Sequence, residues 1–144
     1  MAIEDELIGY LEKTIKEKET KQRNIEMIAY FYGFRDSLWP TLEETAEKFQ
    51  NLTRERIRQI INDEFRDSAD LSSLPSIKII NEIITSRPYW TQLEIEQKLI
   101  DSGLAKGIFS IRGLLNLIED LGINDAYDIY TPDLMKATWL FFNS

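Results

Sequence analysis

The stretch from Thr41 to Ile60, TLEETAEKFQNLTRERIRQI, carries the clearest structural pattern in the chain. Thr41 is placed to cap a first helix, and Glu44 follows three residues later, as in a capping box. The letters QNL then predict a turn, after which Thr53 caps a second helix that runs to about Asp67. Two short helices joined by a tight turn are typical of a helix-turn-helix.

The second helix of this stretch has two chemically different faces. At about 100° per residue, Ile57, Ile60 and Ile61 fall on one face, where they can pack against the preceding helix. The opposite face carries donors and acceptors that suit the base edges in the major groove of DNA. The side chains on that face are those of Arg54, Glu55, Arg58, Gln59 and Asn62.

The charge of the chain limits how this helix can bind DNA. With 17 Lys and Arg against 25 Asp and Glu, the formal net charge is −8, which excludes unspecific coating of nucleic acid. Three arginines and one glutamate between Thr53 and Ile60 give a local charge of +2, and Thr53 would face a phosphate. The alternative is that Arg54, Arg56 and Arg58 solvate an exposed face and pair with acids one turn away.

The residue types that are missing exclude several chemistries. The chain has no Cys and no His, which removes disulfides, zinc fingers, thiolate nucleophiles and imidazole bases. Three pairs of acids are better explained as solvated helix faces than as ligands, since none has a third ligand or an organised loop. These pairs are Glu43/Glu44, Glu94/Glu96 and Asp125/Asp128. We therefore predict no enzyme, no catalytic residue, no metal site and no cofactor.

The sequence also predicts a cytoplasmic protein with no membrane partner. No uncharged apolar run reaches the roughly 18 residues that a membrane span needs. The N-terminus, MAIEDELIGYLEK, opens with acids where a signal peptide has basic residues.

The helix-turn-helix stretch resembles region four of the bacterial RNA polymerase sigma factors, which reads the upstream promoter hexamer. The strings TLEETAEKF and TRERIRQI carry the resemblance, and the match covers Arg23 to about Arg66. Upstream, the preceding helix of that family, which ends in an aromatic-Gly pair, is matched by Arg23, Ile28, Tyr32 and Gly33. The resemblance implies base-facing positions at Arg54, Glu55, Arg58 and Gln59, and positions nearer the DNA backbone at Thr53, Arg56 and Thr41.

The sequence departs from that family in three ways. The turn QNL is one residue longer than the usual turn and lacks its Gly. The segment after Ile60, INDEFRDSAD, is acidic where the family is basic, which weakens phosphate anchoring. The regions that bind core polymerase and melt the strands have no room in this chain. The resemblance therefore implies a sigma-like module and not a complete sigma factor.

Helical spacing dominates the rest of the chain. An amphipathic helix is predicted from Ile3 to about Lys21, and a buried helix from Arg23 to Phe34, closed by Gly33. Residues 67–76, DSADLSSLPS, are small, polar and interrupted by proline, so they are the best candidate for a linker.

Beyond that segment the helical pattern restarts. Three helices are predicted over Ser76–Ser86, Thr91–Ser102 and Ser110–Leu121, the last two ending at Gly103 and Gly122. The tail carries the β-favouring strings YDIY and TWLFF, and three helices followed by a small hairpin are the layout of a winged helix. The tail aromatics can alternatively form a capping helix.

The third of these helices is the candidate recognition helix of the second part. Its outer face carries Arg112 and Asn116, which are candidate second-module contacts to DNA, beside Glu119. One arginine is little for a DNA reader. A packing or dimerisation domain is therefore the alternative.

Together these patterns predict a mostly α protein of tandem helix-turn-helix domains. Residues 1–70 form a sigma-region-four-like domain, and residues 74–144 form a winged-helix-like domain with a small C-terminal β-hairpin. The expected function is sequence-selective binding of duplex DNA, by a bacterial transcription regulator or a DNA-targeting module. The alternative is a protein-interaction module that binds RNA polymerase or another protein without binding DNA. A homodimer and a place in a larger chain stay open.

Overall fold

The computed structural model describes residues 1–36, 39–49, 52–107 and 109–123. Over these ranges the protein is mostly α-helical, as expected, and they contain no β-strand. The predicted C-terminal hairpin lies outside the described residues. The helices are α1 (Ile3–Thr14), α2 (Lys21–Phe31), α3 (Leu42–Lys48), α4 (Arg54–Ile61), α5 (Ser76–Thr85), α6 (Gln92–Asp101) and α7 (Ile111–Asp120). A π-helical turn (Asn62–Arg66) extends α4, and a short 3-10 turn (Leu71–Ser73) precedes α5.

Four of the seven α-helices in the described ranges, α3, α4, α6 and α7, begin at side-chain caps, as the sequence predicts. Thr41 Oγ1 accepts from the backbone N–H of Glu44 at 3.0 Å, and the Glu44 carboxylate accepts from the Thr41 N–H at 3.3 Å, which completes a capping box. The hydroxyls of Thr53, Thr91 and Ser110 accept in the same way at α4, α6 and α7. These local bonds satisfy amide groups that the helix itself leaves without partners.

Helix α1 is shorter than the sequence predicts, because it ends at Thr14 and not near Lys21. The next residue, Ile15, is extended and buried. The Lys21 side chain is also buried, and its Nζ donates to the Glu12 carbonyl at 2.8 Å. A lysine that binds a last-turn carbonyl is a common way to satisfy a helix C-terminus. The amphipathic pattern therefore continues past the point where the helix stops.

One hydrophobic core joins the two predicted parts of the chain. It runs from Ile3 of α1 to Leu121 after α7. Leu74, inside the predicted linker, is fully buried, and the Ser76 N–H donates to a Glu6 carboxylate oxygen at 2.9 Å. The end of the segment 67–76 therefore packs against the core, whereas most of residues 67–72 are exposed. Its interpretation as a linker stays a prediction. The division at 70 and 74 stays a prediction.

Helix α7 approaches the end of α2 unusually closely. The Ser110 N–H donates to the Gly33 carbonyl at 2.8 Å. A Cβ added at Gly113 would lie 2.2 Å from the Tyr32 carbonyl oxygen, so only glycine fits there. Gly33 itself has a φ of 83°, a conformation that favours glycine.

Within the described ranges, every helix is too short or too polar to cross a lipid bilayer.

Candidate nucleic-acid interface

Helix α4 is fixed to the protein by one apolar face. Ile57, Ile60 and Ile61 are all buried, which confirms the prediction for this face. The helix packs against α3 and α2, and Thr45 of α3 is also fully buried. Because the apolar side is held so firmly, the opposite side of α4 has a defined orientation toward solvent.

The outward side of α4 carries most of the residues that the sequence nominates. Its first turn begins at the cap Thr53, whose Oγ1 accepts from the Arg56 N–H at 3.1 Å. Thr41, at the start of α3, is exposed as well. The exposed side chains of α4 are those of Arg54, Glu55, Arg56, Arg58 and Gln59. The structure therefore brings these positions together on one short, accessible helix.

All five of these side chains have partners within the protein, and three of them belong to ion pairs. The Arg58 guanidinium donates hydrogen bonds from two nitrogens to the Glu55 carboxylate, and its Nε lies 3.1 Å from Oε2. This hydrogen bond lowers the pKa of Glu55 and raises that of Arg58. Arg54 Nη1 lies 3.5 Å from the Glu43 carboxylate of α3. The pairing that the sequence leaves as an alternative is thus present on an otherwise exposed face.

Arg56 faces along the helix toward Gln59. Its Nη1 donates to the Gln59 Oε1 at 3.4 Å. The Gln59 side chain also hydrogen-bonds to the Glu55 carboxylate and helps to lower the pKa of that group.

Asn62 differs from the other nominated residues because it is half-buried. The π-helical turn begins at this position, and the Asn62 Oδ1 accepts from Arg66 Nη1 at 3.3 Å. Arg66 also donates from Nε to Asp120 Oδ2 of α7 at 2.9 Å. Asn62 therefore contributes to a contact between α4 and α7. Its prediction as part of the exposed face does not fit this geometry.

Arg66 is the residue near the interface that the sequence reasoning missed. Besides Asn62 and Asp120, its guanidinium lies 5.2 Å from the centre of the Phe31 ring. The buried Tyr32 hydroxyl donates to the same Asp120 oxygen at 2.6 Å, and burial together with that carboxylate raises the pKa of Tyr32. This cluster joins the end of α4 to α7. Its members are 54 and 88 residues apart in sequence, so no local signal could have revealed it.

The two nominated residues of α7 have unequal surroundings. Arg112 is exposed, but Asn116 is half-buried, and its Nδ2 is shielded from solvent. Leu114, Leu117 and Ile118 are buried, as predicted for the inner face. Asn116 is therefore poorly placed to reach a ligand outside the protein.

Acidic side chains in the described part of the chain do not gather into a metal site. No group of three or more potential ligands lies close enough to hold an ion there.

The comparisons with known proteins add no relative from which a role could be transferred. No protein-family model matches the chain, and no curated protein or solved structure matches it.

Proposed function

We propose that the protein binds duplex DNA in a sequence-selective way through α4, as a bacterial transcription regulator or a DNA-targeting module. In this proposal α3 and α4 form a helix-turn-helix, with α4 in the major groove. One observation carries the proposal. The first turns of α4 expose arginines and a glutamine on the side opposite three buried isoleucines.

The chemistry of this face suits base reading. Arginine can donate two hydrogen bonds to guanine O6 and N7, and the amide of glutamine can pair with adenine N6 and N7. Arg58 and Gln59 supply these groups, and Glu55 can accept from cytosine N4. Thr53 and the N-terminus of α4 are suited to a phosphate oxygen.

The charge of the protein predicts an uncommon binding profile. Few phosphate contacts are available in a chain of net charge −8, so the affinity depends weakly on salt. If Arg54, Arg56 and Arg58 all met phosphates, log K would fall with log salt at a slope of about −3. Many DNA-binding proteins make more contacts and have steeper slopes.

The test begins with selection of bound duplexes from a randomised library, followed by fluorescence anisotropy with the selected and the random duplex. Arg58→Ala and Gln59→Ala should each weaken binding to the selected duplex about tenfold, because each removes a bidentate base contact. Arg87→Ala, before α6, is the matched control, because this exposed arginine also pairs with an acid, Glu94, and it should change the affinity less than about twofold. Thermal unfolding verifies that the variants are folded.

Two outcomes would remove the proposal. One is the absence of binding to any duplex at low salt. The other is equal affinity of the wild type, Arg58→Ala and Gln59→Ala for the selected duplex.

A second candidate function is protein binding, and a specific observation favours it. Tyr89 and Leu93, before and within α6, are 78% and 79% exposed, which is unusual for large apolar side chains. The aromatic tail also offers candidate contacts for a protein partner, and these residues, Tyr127, Tyr130, Trp139 and Phe141, lie outside the described residues. Under this alternative, the wild type should bind purified RNA polymerase but no duplex, and Leu93→Ser should abolish the binding to the polymerase.

A further inference from the structure

We propose that Glu43 is an internal competitor for Arg54, which weakens the contact of this arginine with a DNA phosphate. The inference rests on the proposed DNA binding and concerns the regulation of the same site. Glu43 belongs to α3, and Arg54 is the first residue of α4. Their contact therefore spans the connection between the two helices.

The geometry permits competition because both side chains are accessible. Arg54 Nη1 lies 3.5 Å from Glu43 Oε1, and the two side chains are 66% and 74% exposed. An exposed ion pair of this kind is weak, so a phosphate can displace the carboxylate. A deeply buried pair would instead hold the arginine permanently.

Displacement changes how salt affects the affinity. An arginine that moves from solvent to a phosphate releases a counterion from DNA without leaving an acid behind. When Arg54 moves from Glu43 to a phosphate, the freed carboxylate takes up a cation and lies close to the negative DNA. The net release of ions at this contact is therefore small in the wild type.

Arg58, one turn further along α4, is also paired with an acid that can compete with DNA. Arg58 is held by Glu55 within α4 through two guanidinium nitrogens. The pKa of Glu55 is lowered, first by its hydrogen bond with Arg58 and to a smaller extent by the charge of Arg54. The affinity for random DNA depends almost wholly on such cations. It is therefore lowered, because these arginines are paired with acids before the protein meets DNA.

The experiment compares duplex binding by the full chain with Glu43→Gln at several salt concentrations. Glu43→Gln should raise the affinity for a random duplex about threefold at low salt and steepen the slope of log K against log salt by about 0.9. Two controls make the same charge change elsewhere. Glu47→Gln alters an exposed acid one turn along α3, and Glu82→Gln alters one on α5. Both should have less than half the effect of Glu43→Gln on log K.

A double-mutant cycle with Arg54→Ala isolates the pair. In the Arg54→Ala background, Glu43→Gln should no longer raise the affinity beyond the Glu47→Gln control. The inference is overturned if the gain persists without Arg54, or if all three Glu→Gln variants gain equally. If the wild type binds a selected duplex and Glu43→Gln changes nothing, the competitor role fails and the proposed function stands. If the wild type binds no duplex, both fail.

Discussion

Helices α4 and α7 begin at similar caps, but their polar faces have different surroundings. Each follows a shorter or equal helix and a loop, and each is capped by a hydroxyl, from Thr53 and Ser110 respectively. Helix α4 then exposes charged side chains along its outer face, whereas α7 lies against the carbonyl of Tyr32 through Gly113. A cap and an amphipathic pattern therefore define a helix but not the use of its polar side.

The difference comes from what each helix offers for close packing. Branched isoleucines on α4 are buried against the neighbouring helices, and the polar side chains of the other face stay in solvent. Glycine in the first turn of α7 removes the side chain that would keep a neighbouring backbone away. Asp120 at the other end of α7 then bonds to Tyr32 and Arg66. The contacts at both ends of α7 therefore hold the two halves of the chain together, whereas the polar face of α4 is accessible to a ligand.

The largest effect should come from Gly113→Ala, which would break the close approach of α7. The new Cβ would meet backbone at 2.2 Å, so the helix must move away, and we expect a loss of about 3 kcal/mol in the free energy of unfolding. Urea denaturation measures this change. Gly9→Ala in α1 is the control, because its Cβ would meet nothing within 4 Å, and it should stabilise by up to about 1 kcal/mol. Equal stability of Gly113→Ala and wild type would show that α7 is not docked in this way.

An intermediate effect is expected from Tyr32→Phe, which removes the hydroxyl bonded to Asp120. The loss of a buried hydrogen bond to a charged acceptor should cost about 2 kcal/mol at neutral pH. Urea denaturation again gives the value. Tyr89→Phe, at a side chain that is 78% exposed, is the matched control and should change stability by less than about 0.5 kcal/mol.

The stability difference between the wild type and Tyr32→Phe should also depend on pH. The pKa of Tyr32 is raised in the folded state from its ordinary value of 10.0, since burial and the Asp120 carboxylate disfavour the phenolate. The stability that depends on the protonated hydroxyl is therefore complete below pH 10 and falls above it, as the unfolded chain ionises. The stability difference between the wild type and Tyr32→Phe should shrink by about 1.4 kcal/mol between pH 9 and pH 11. A difference that stays constant over this range would contradict the burial of the hydroxyl.

The smallest losses of stability are expected when the capping hydroxyls of Ser110 and Thr53 are removed. Ser110→Ala should cost about 1–2 kcal/mol, because Gly113 is buried and its N–H would lose the Ser110 Oγ acceptor at 3.2 Å without access to water. Thr53→Ala should cost only about 0.5–1 kcal/mol, since water can replace the exposed Thr53 hydroxyl at the Arg56 N–H. The denaturation midpoints of the two variants, at unchanged slope, decide the order. The reverse order would mean that the start of α7 is open to solvent.

The parts of this fold that sequence predicts well are those that depend on neighbours in the chain. The caps Thr41 and Thr53 bind amides three residues away, so their letters suffice to place the starts of α3 and α4. The buried face of α4 follows from helical spacing alone. The exposure of Arg54 and Arg58 on the opposite face follows from the same spacing.

The parts that could not be predicted depend on residues distant in sequence. Asn62 is at a spacing that places it on the outer face of a regular helix, but Arg66 and Asp120 draw it into the contact with α7. Leu74 is surrounded by polar residues, and only the assembled core explains its burial. The end of α1 likewise depends on Lys21 reaching back to a carbonyl in the last turn.

The bond between the Ile3 N–H and the Leu104 carbonyl, at 2.8 Å, also bears on how the nascent chain folds. The first turn of α1 cannot gain this partner until Leu104 has been synthesised. At about 5–20 residues per second, the ribosome needs roughly 5–20 s to travel that distance. During this interval the apolar residues of α1 lack part of their final packing. The newly made first half therefore carries apolar surface that is covered only when the rest of the chain has been synthesised.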